Sequence, residues 1–371
     1  MTKIHHHTPP SLAELLETFS GVCRDCGVCV RACAFLAARG APGALATEVN
    51  LETGVGLNAA FSCSLCGLCS SLCPRGLAPE ALFLAMRQEA VRRGQANLSP
   101  YRGLFAYEDL GGASLLSLFL PPRPGGTVFF PGCGLPGTRP ARTRDLFRAL
   151  EKALPGLGVV LSCCFSPSRS LGLADRFGKR FSALSSRLAD SGVREVVTAC
   201  PNCFRVFKDQ GEFAVRTAWE VLAENGGLFV PRLSGEVTVH DPCPLRAEPA
   251  AREAARSILA STGLSVVEPP GSGEKTLCCG QGGAAHLAGP EAESWRAQRA
   301  GQAGGRTVVT WCAGCADHLS ARMPTAHLLD ILFDPERALS GRARVARSPF
   351  TYANRLLLKR WFQKRQVGRI G

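Results

Sequence analysis

Thr127-Val128-Phe129-Phe130-Pro131-Gly132-Cys133 and, further on, Val237-Thr238-Val239-His240-Asp241-Pro242-Cys243 decide the fold of this chain. Each is a short run, rich in apolar and β-branched residues, that leads into a cysteine. The likeness continues downstream. Val159-Val160-Leu161-Ser162-Cys163-Cys164 parallels Lys275-Thr276-Leu277-Cys278-Cys279, and Glu195-Val196-Val197-Thr198-Ala199-Cys200 parallels Thr307-Val308-Val309-Thr310-Trp311-Cys312. The offsets are 110, 115 and 112 residues, a drift that loop-length variation between duplicated units explains. Helical patterns, such as that over 173–190, separate the runs. This alternation predicts βαβ units around a parallel sheet, with ligands at the carboxyl ends of the strands. Two such domains related by a pseudo-twofold would turn their cysteines toward a common cleft.

The cysteines are the chemistry. All eighteen fall into four spaced groups, and none is left over. Cys23, Cys26, Cys29 and Cys33 form one C-x2-C-x2-C-x3-C run; Cys63, Cys66, Cys69 and Cys73, with Pro74 behind, form a second. In such a run three thiolates grip one iron–sulfur cube and the fourth reaches its neighbour. The expected ligand sets are therefore Cys23, Cys26, Cys29 and Cys73 for one [4Fe–4S] cluster, and Cys63, Cys66, Cys69 and Cys33 for the other. Gly27 and Gly67 leave room and N–H groups near the sulfurs. Zinc sites take two separated pairs, a poor match to these quartets.

The remaining ten cysteines repeat another pattern: one Cys, adjacent Cys-Cys, then Cys-x-x-Cys. They are Cys133, Cys163, Cys164, Cys200 and Cys203, then Cys243, Cys278, Cys279, Cys312 and Cys315. Adjacent cysteines reach one metal only with strain, but they can hold two irons of an opened cluster. Five thiolates exceed the four corners of a cube. The set points to a non-cubane cluster, or to four ligands and a spare thiol.

At these residues the chain resembles the cysteine-rich "CCG" domain proteins, which include the catalytic subunit of heterodisulfide reductase and the iron–sulfur subunits of glycolate and lactate oxidase systems. Cys278-Cys279-Gly280 carries the signature, followed by Gly282-Gly283. The first copy departs, reading Cys163-Cys164-Phe165. The resemblance covers residues 11 to about 330 and is strongest to the fused, two-part heterodisulfide reductase subunit. It implies that each five-cysteine set binds a non-cubane [4Fe–4S] cluster and that a disulfide is split between the two.

The expected architecture is α+β and multidomain. A mainly helical twin-cluster ferredoxin domain (1–100) and a linker (101–126) precede two duplicated α/β cysteine-rich domains (127–232 and 233–340) and a basic amphipathic tail (341–371). Residues 11–22 read as an amphipathic helix capped by Ser11, and 80–93 as a second helix. The short histidine tract (5–7) is assigned no function. Reduced, metal-binding thiols and the lack of a signal-like start predict a cytoplasmic protein. The tail mixes Leu356, Leu357, Leu358, Trp361 and Phe362 with basic residues. Such a helix either packs on its own domain or contacts the inner membrane face or a partner.

A formal charge of +13 fits anionic clusters and an acidic partner better than nucleic acid. No dinucleotide fingerprint or P-loop is present, so a flavin or nicotinamide would belong to a partner. His240 and His286 lie near second-copy cysteines and are candidates for proton donation or for hydrogen bonding to cluster sulfur. The expectation is an electron-transfer oxidoreductase subunit of heterodisulfide reductase type. Its donor would be a flavoprotein, a ferredoxin or a membrane cytochrome, and its acceptor a disulfide or a quinone. The alternatives are a non-catalytic relay beside a flavin-dependent 2-hydroxyacid dehydrogenase, and a redox-sensing or assembly module.

Overall fold

The computed structural model describes residues 10–123, 126–226 and 232–367. The histidine tract (5–7) lies outside them. The first helix, Leu12–Val22, is closed by a capping box in which Ser11 and Glu14 satisfy each other's backbone N–H groups. It buries Leu16 and Phe19. Each ferredoxin run then turns through a left-handed glycine, Gly27 or Gly67 (both φ 72°), into a single helical turn, Val28–Ala32 or Leu68–Leu72. These two short helices pack on each other. Helix Pro79–Arg92 closes the domain with Leu82, Phe83, Met86 and Ala90 inward.

The stretch read as a linker is structured. It holds helix Arg102–Gly112 and strand β1 (Leu118–Leu120). The strands that follow are β2 (Thr127–Phe130), β3 (Gly158–Leu161), β4 (Glu195–Thr198) and β5 (Ala214–Thr217). They form one sheet in the order β1-β3-β2-β4-β5, in which only β1 runs antiparallel, on β3. The second sheet contains β6 (Glu236–Val239), β7 (Ser265–Val267), β8 (Thr307–Thr310) and β9 (Thr325–His327). Its order, β7-β6-β8-β9, is all parallel. Without β1 the two orders are the same, as duplication requires. Helices cover the sheets, so strands such as β3 are buried along their whole length.

One strand differs from expectation. Lys275-Thr276-Leu277 is not its own strand: the sheet strand β7 ends at Val267, and a loop with a short 3-10 turn, Gly273–Lys275, carries the chain to Cys278. That longer loop accounts for the larger offset of this segment.

The two domains share one core. Phe129, Phe147, Val197 and Trp219 of the first join Val237, Ile258, Trp311 and Leu329 of the second. Across the seam helix Pro201–Gln210 rests on the turn Cys243–Leu245, and helix Ala313–Leu319 rests reciprocally on helix Gly134–Thr138. Arg139, 4% exposed, ties the halves by donating to Asp330 at 2.7 Å and Asp317 at 2.9 Å. The C-terminal helix, Phe350–Val367, folds back onto the first cysteine-rich domain. Phe362 packs edge-on to Phe147 at 4.9 Å, and Leu358 is buried. Its apolar stripe is thus largely covered by its own chain, while Phe350 and Leu357 stay exposed.

Candidate metal centres

Every one of the eighteen cysteines is a free thiol. The fold nevertheless gathers them into four knots. Cys23, Cys26, Cys29 and Cys73 line one surface cavity of about 300 Å³, with Cys69 at its edge and Phe19, Arg24 and Arg75 beside them. Cys73 reaches this knot from the second run, and burial plus the facing Cys23 push the Cys29 thiol up to about 11. Cys33 crosses the other way to Cys63, Cys66 and Cys69. Burial, then Cys66, raises Cys33 to about 12, and the Trp295 indole N–H donates to it. Cys63 and Cys69 are driven higher still, by burial first, then by Cys33 facing the one and Cys63 facing the other. The interlocked quartets inferred from spacing are therefore spatial neighbours.

The five-cysteine sets are built alike. In the first, Cys133 meets Cys163, and Cys164 lies 3.2 Å from Cys203, which also meets Cys200. In the second, Cys243 meets Cys278, and Cys279 lies 3.4 Å from Cys315, which meets Cys312. Backbone N–H groups aim at the sulfurs: Phe165 N–H to Cys163 at 3.3 Å, and Gly280 N–H to Cys278 at 3.2 Å. These equivalent contacts explain the departure at Phe165. Its φ of 59° is left-handed, as Gly280 is at 95°, so the loop keeps the signature shape without glycine. Left-handed backbone costs a non-glycine residue about 1–2 kcal/mol. Burial of the ring, with Arg180 5.5 Å above it, offsets that.

The glycines after Cys279 serve close packing. A Cβ on Gly282 would lie 2.5 Å from the Ser64 carbonyl, and one on Gly283 2.9 Å from that of Cys63. Here the second cysteine-rich domain presses its backbone against the ferredoxin domain. Cys66 and Cys278 consequently face each other with their thiols in contact. Arg246 clamps the junction, donating to the carbonyls of Cys66 (3.1 Å) and Thr276 (2.8 Å). Arg87, fully buried, ties together three domains through the carbonyls of Ala60, Ser170 and Gly283.

The surroundings of the two five-cysteine sets differ. The first is walled by parts of the chain outside its domain. Tyr107, from the stretch expected to be a linker, donates to the Cys133 carbonyl at 2.8 Å, and Arg355, from the C-terminal helix, lies 5.4 Å over the Tyr107 ring. Hydrogen bonding from Cys163, then Arg355, draws the Cys133 thiol down to about 7. The second is ringed by histidines. His240 is 1% exposed and faces Cys279, which its own partners Cys278 and Cys315 already hold well below the usual thiol range. His286 and His318 stand with ring centres 5.4 Å apart, and burial pushes both toward the neutral form. His318 escaped the sequence reading, although its place three residues after Cys315 was the signal. Tyr107 and Arg355 had no signal, since nothing in the sequence brings them to Cys133.

The donor sets fit iron–sulfur clusters. Buried thiols this close repel one another as thiolates, and a cationic metal core relieves that repulsion. Polar atoms around the second set are left without hydrogen-bond partners among the described residues: both ring nitrogens of His240, Nδ1 of His286 and Nε2 of His318. Around the first set the same holds for one Arg355 nitrogen, and Gly132 has no side chain where a Cβ would come 2.9 Å from Cys200.

Comparison with known proteins agrees. Residues 22–78 match the 4Fe-4S dicluster domain, and residues 127–208 and 237–320 each match the cysteine-rich domain known as CCG. The chain is thus an iron–sulfur protein in which a 4Fe-4S dicluster domain is joined to two CCG domains. It is similar to one of the subunits of the fumarate reductase (CoM/CoB) of Methanothermobacter marburgensis, 28% identical over 73% of this chain and 59% of that protein. It is similar also to one of the subunits of the dihydromethanophenazine:CoB–CoM heterodisulfide reductase of Methanosarcina barkeri, 24% identical over 72% of this chain and 80% of that one. A probable membrane-anchored ferredoxin of Chromohalobacter salexigens is 30% identical over half of this chain, which spans only 31% of it. These relatives support an iron–sulfur electron-transfer role. Among the described residues no helix is long and apolar enough to cross a membrane.

Proposed function

We propose that this chain is the electron-transfer and disulfide-reducing subunit of a redox complex. Cys23, Cys26, Cys29 and Cys73 would hold the entry cluster, and Cys33, Cys63, Cys66 and Cys69 the next. The two five-cysteine sets would hold the acceptor-side clusters, and bound clusters would supply one-electron steps that add up to the two electrons a disulfide takes. The observation that carries this reading is the thiol contact between Cys66 and Cys278, which joins the second quartet to the signature cysteines of the second CCG domain. At the other end Cys26 is exposed among Arg24, Asp25 and Arg75, a setting suited to an acidic redox partner.

The acceptor end has the means to handle a polar substrate. A cleft of about 450 Å³ at the domain seam is lined by Cys66, Cys243, Arg246 and the ion pairs Arg205–Asp209 and Lys208–Glu248, with Glu80 and Glu274, and gives solvent a way in. Reduction of a disulfide needs two protons as well as two electrons, and His286 and His318 stand beside the second set with nitrogens free to hydrogen-bond. The exposed Phe350 and Leu357 leave a small apolar patch through which the C-terminal helix would meet a membrane surface or membrane-bound partner. The reading is tested by assaying anaerobic protein with reduced electron donor and a series of disulfides. Stoichiometric thiol release supports it. Turnover only with a quinone would replace it with the relay reading.

A further inference from the structure

The two five-cysteine sets repeat each other cysteine for cysteine, yet one carries a donor that the other lacks. His240 follows β6 directly, and its N–H bonds to the Val309 carbonyl at 2.9 Å, which holds the backbone in strand register. The matching place in the first domain is Phe130, the last residue of β2, fully buried and packed against Phe207 at 5.1 Å. Both sites are dry there, but only one has a lone pair to offer.

That donor is aimed at the thiols. One ring nitrogen of His240 and the sulfurs of Cys279 and Cys315 all lie within 4.8 Å of one another, and all three residues are buried. Neither imidazole nitrogen makes a complete hydrogen bond with any described residue, and the group the ring faces is the Cys279 thiol. The neighbouring carboxylate does not take up the ring, because Asp241 is engaged by Arg256 at 2.6 Å and by the Gly273 N–H at 2.7 Å. Buried polar groups in folded proteins find partners, and an orphan calls for a bound species to complete it. A histidine and two cysteines converging on one point are the donors that soft and borderline metals take.

Resting on the cluster assignment above, we propose that His240 is a direct iron ligand in the second CCG domain, making that centre a five-cysteine, one-histidine site, while the first remains cysteine-only. The second centre then differs from the first in ligand set and surroundings while keeping the same number of thiolates, because imidazole is a neutral ligand. The two clusters are therefore chemically distinct acceptors, and the one with the nitrogen ligand lies on the side that adjoins Cys66.

The decisive experiment is an anaerobic crystal structure of the full-length, cluster-loaded protein with iron located by anomalous scattering. The expected result is an iron at about 2.1 Å from a His240 nitrogen, the usual metal–imidazole bond. Iron in the second set with no such bond overturns the proposal and leaves the cluster assignment standing; no iron there overturns both. In solution, protein grown on heavy-nitrogen histidine should show, by pulsed EPR, one strongly coupled nitrogen. It should vanish in His240→Phe and survive in His286→Gln and His318→Gln. A coupling that is weak, as from a hydrogen bond, or that survives His240→Phe, overturns it. Should His240→Phe fail to fold, Phe130→His gives the reciprocal reading: a second strongly coupled nitrogen supports the proposal, because it shows this position to be within bonding reach of iron. Its absence counts against that reach.

Discussion

The thiols of Cys66 and Cys278 face each other, although 212 residues separate them in sequence. The contact exists because Gly282 and Gly283 let two backbones touch and because Arg246 holds the Cys66 carbonyl. It brings the second ferredoxin quartet against the signature cysteines of the second CCG domain. The first CCG set has no such contact with a quartet cysteine among the described residues, and its wall comes from Tyr107 and Arg355 instead.

Iron content follows from the four thiol knots. If each holds a four-iron cluster, anaerobic protein contains about sixteen irons per chain. Colorimetric iron and sulfide assays check this. About eight irons would confine the clusters to the ferredoxin domain and remove the disulfide-reducing role.

The crossing of ligands is tested by Cys73→Ser. Cys73 faces Cys29 and shares a cavity with Cys23, Cys26 and Cys29, so the substitution should degrade that cluster more than the one at Cys63 to Cys69. EPR of the two reduced centres distinguishes them. Loss of the Cys63–Cys69 cluster instead would show that the runs do not interlock.

Arg87 should be a stability hinge for the whole chain. Its guanidinium is fully buried and satisfies carbonyls from three domains. Arg87→Met leaves those carbonyls without donors, and a buried acceptor left unsatisfied costs about 1–3 kcal/mol. The urea midpoint of anaerobic protein should fall accordingly. A change under about 1 kcal/mol would be that of a surface residue.

A pH effect is expected at His327, which pairs with Thr310 across strands β8 and β9. Burial, then Arg139, holds its pKa well below the usual value, and its Nδ1 accepts the Leu329 N–H at 3.1 Å to cap a helix. The folded state therefore binds fewer protons than the unfolded one between the folded pKa and about 6.5. Stability is complete above that window and falls with pH inside it, by up to about 1.4 kcal/mol per pH unit for one proton. His327→Asn keeps a capping acceptor and removes the titration, so the acid side of its stability profile should be flatter. Parallel profiles for both proteins would refute this.

Much of this was legible in the sequence. The cysteine spacings announced the thiol sets, and Val128–Phe130 against Val237–Val239 announced the duplication, because buried parallel strands read as continuous apolar runs. The false strand at Lys275-Thr276-Leu277 arose because β7 is only Ser265–Val267, too short and too exposed to stand out. The structured linker was hidden for a different reason. β1 gains its strand character only by pairing with β3, a tertiary effect that local composition does not record. Arg355, Tyr107 and Arg87 are long-range partners, and no local pattern announces them.

The central claim is that electrons leave the ferredoxin domain through the Cys66–Cys278 junction and reach a disulfide at the second CCG domain. Single-turnover stopped-flow reoxidation of the dithionite-reduced protein by a disulfide, with and without Cys279→Ala, tests it most directly. The account predicts that wild-type visible absorbance returns as the disulfide is cleaved to two thiols. In Cys279→Ala the N-terminal clusters should be reduced normally but stay reduced. Reoxidation of Cys279→Ala by the disulfide at the wild-type rate would contradict it.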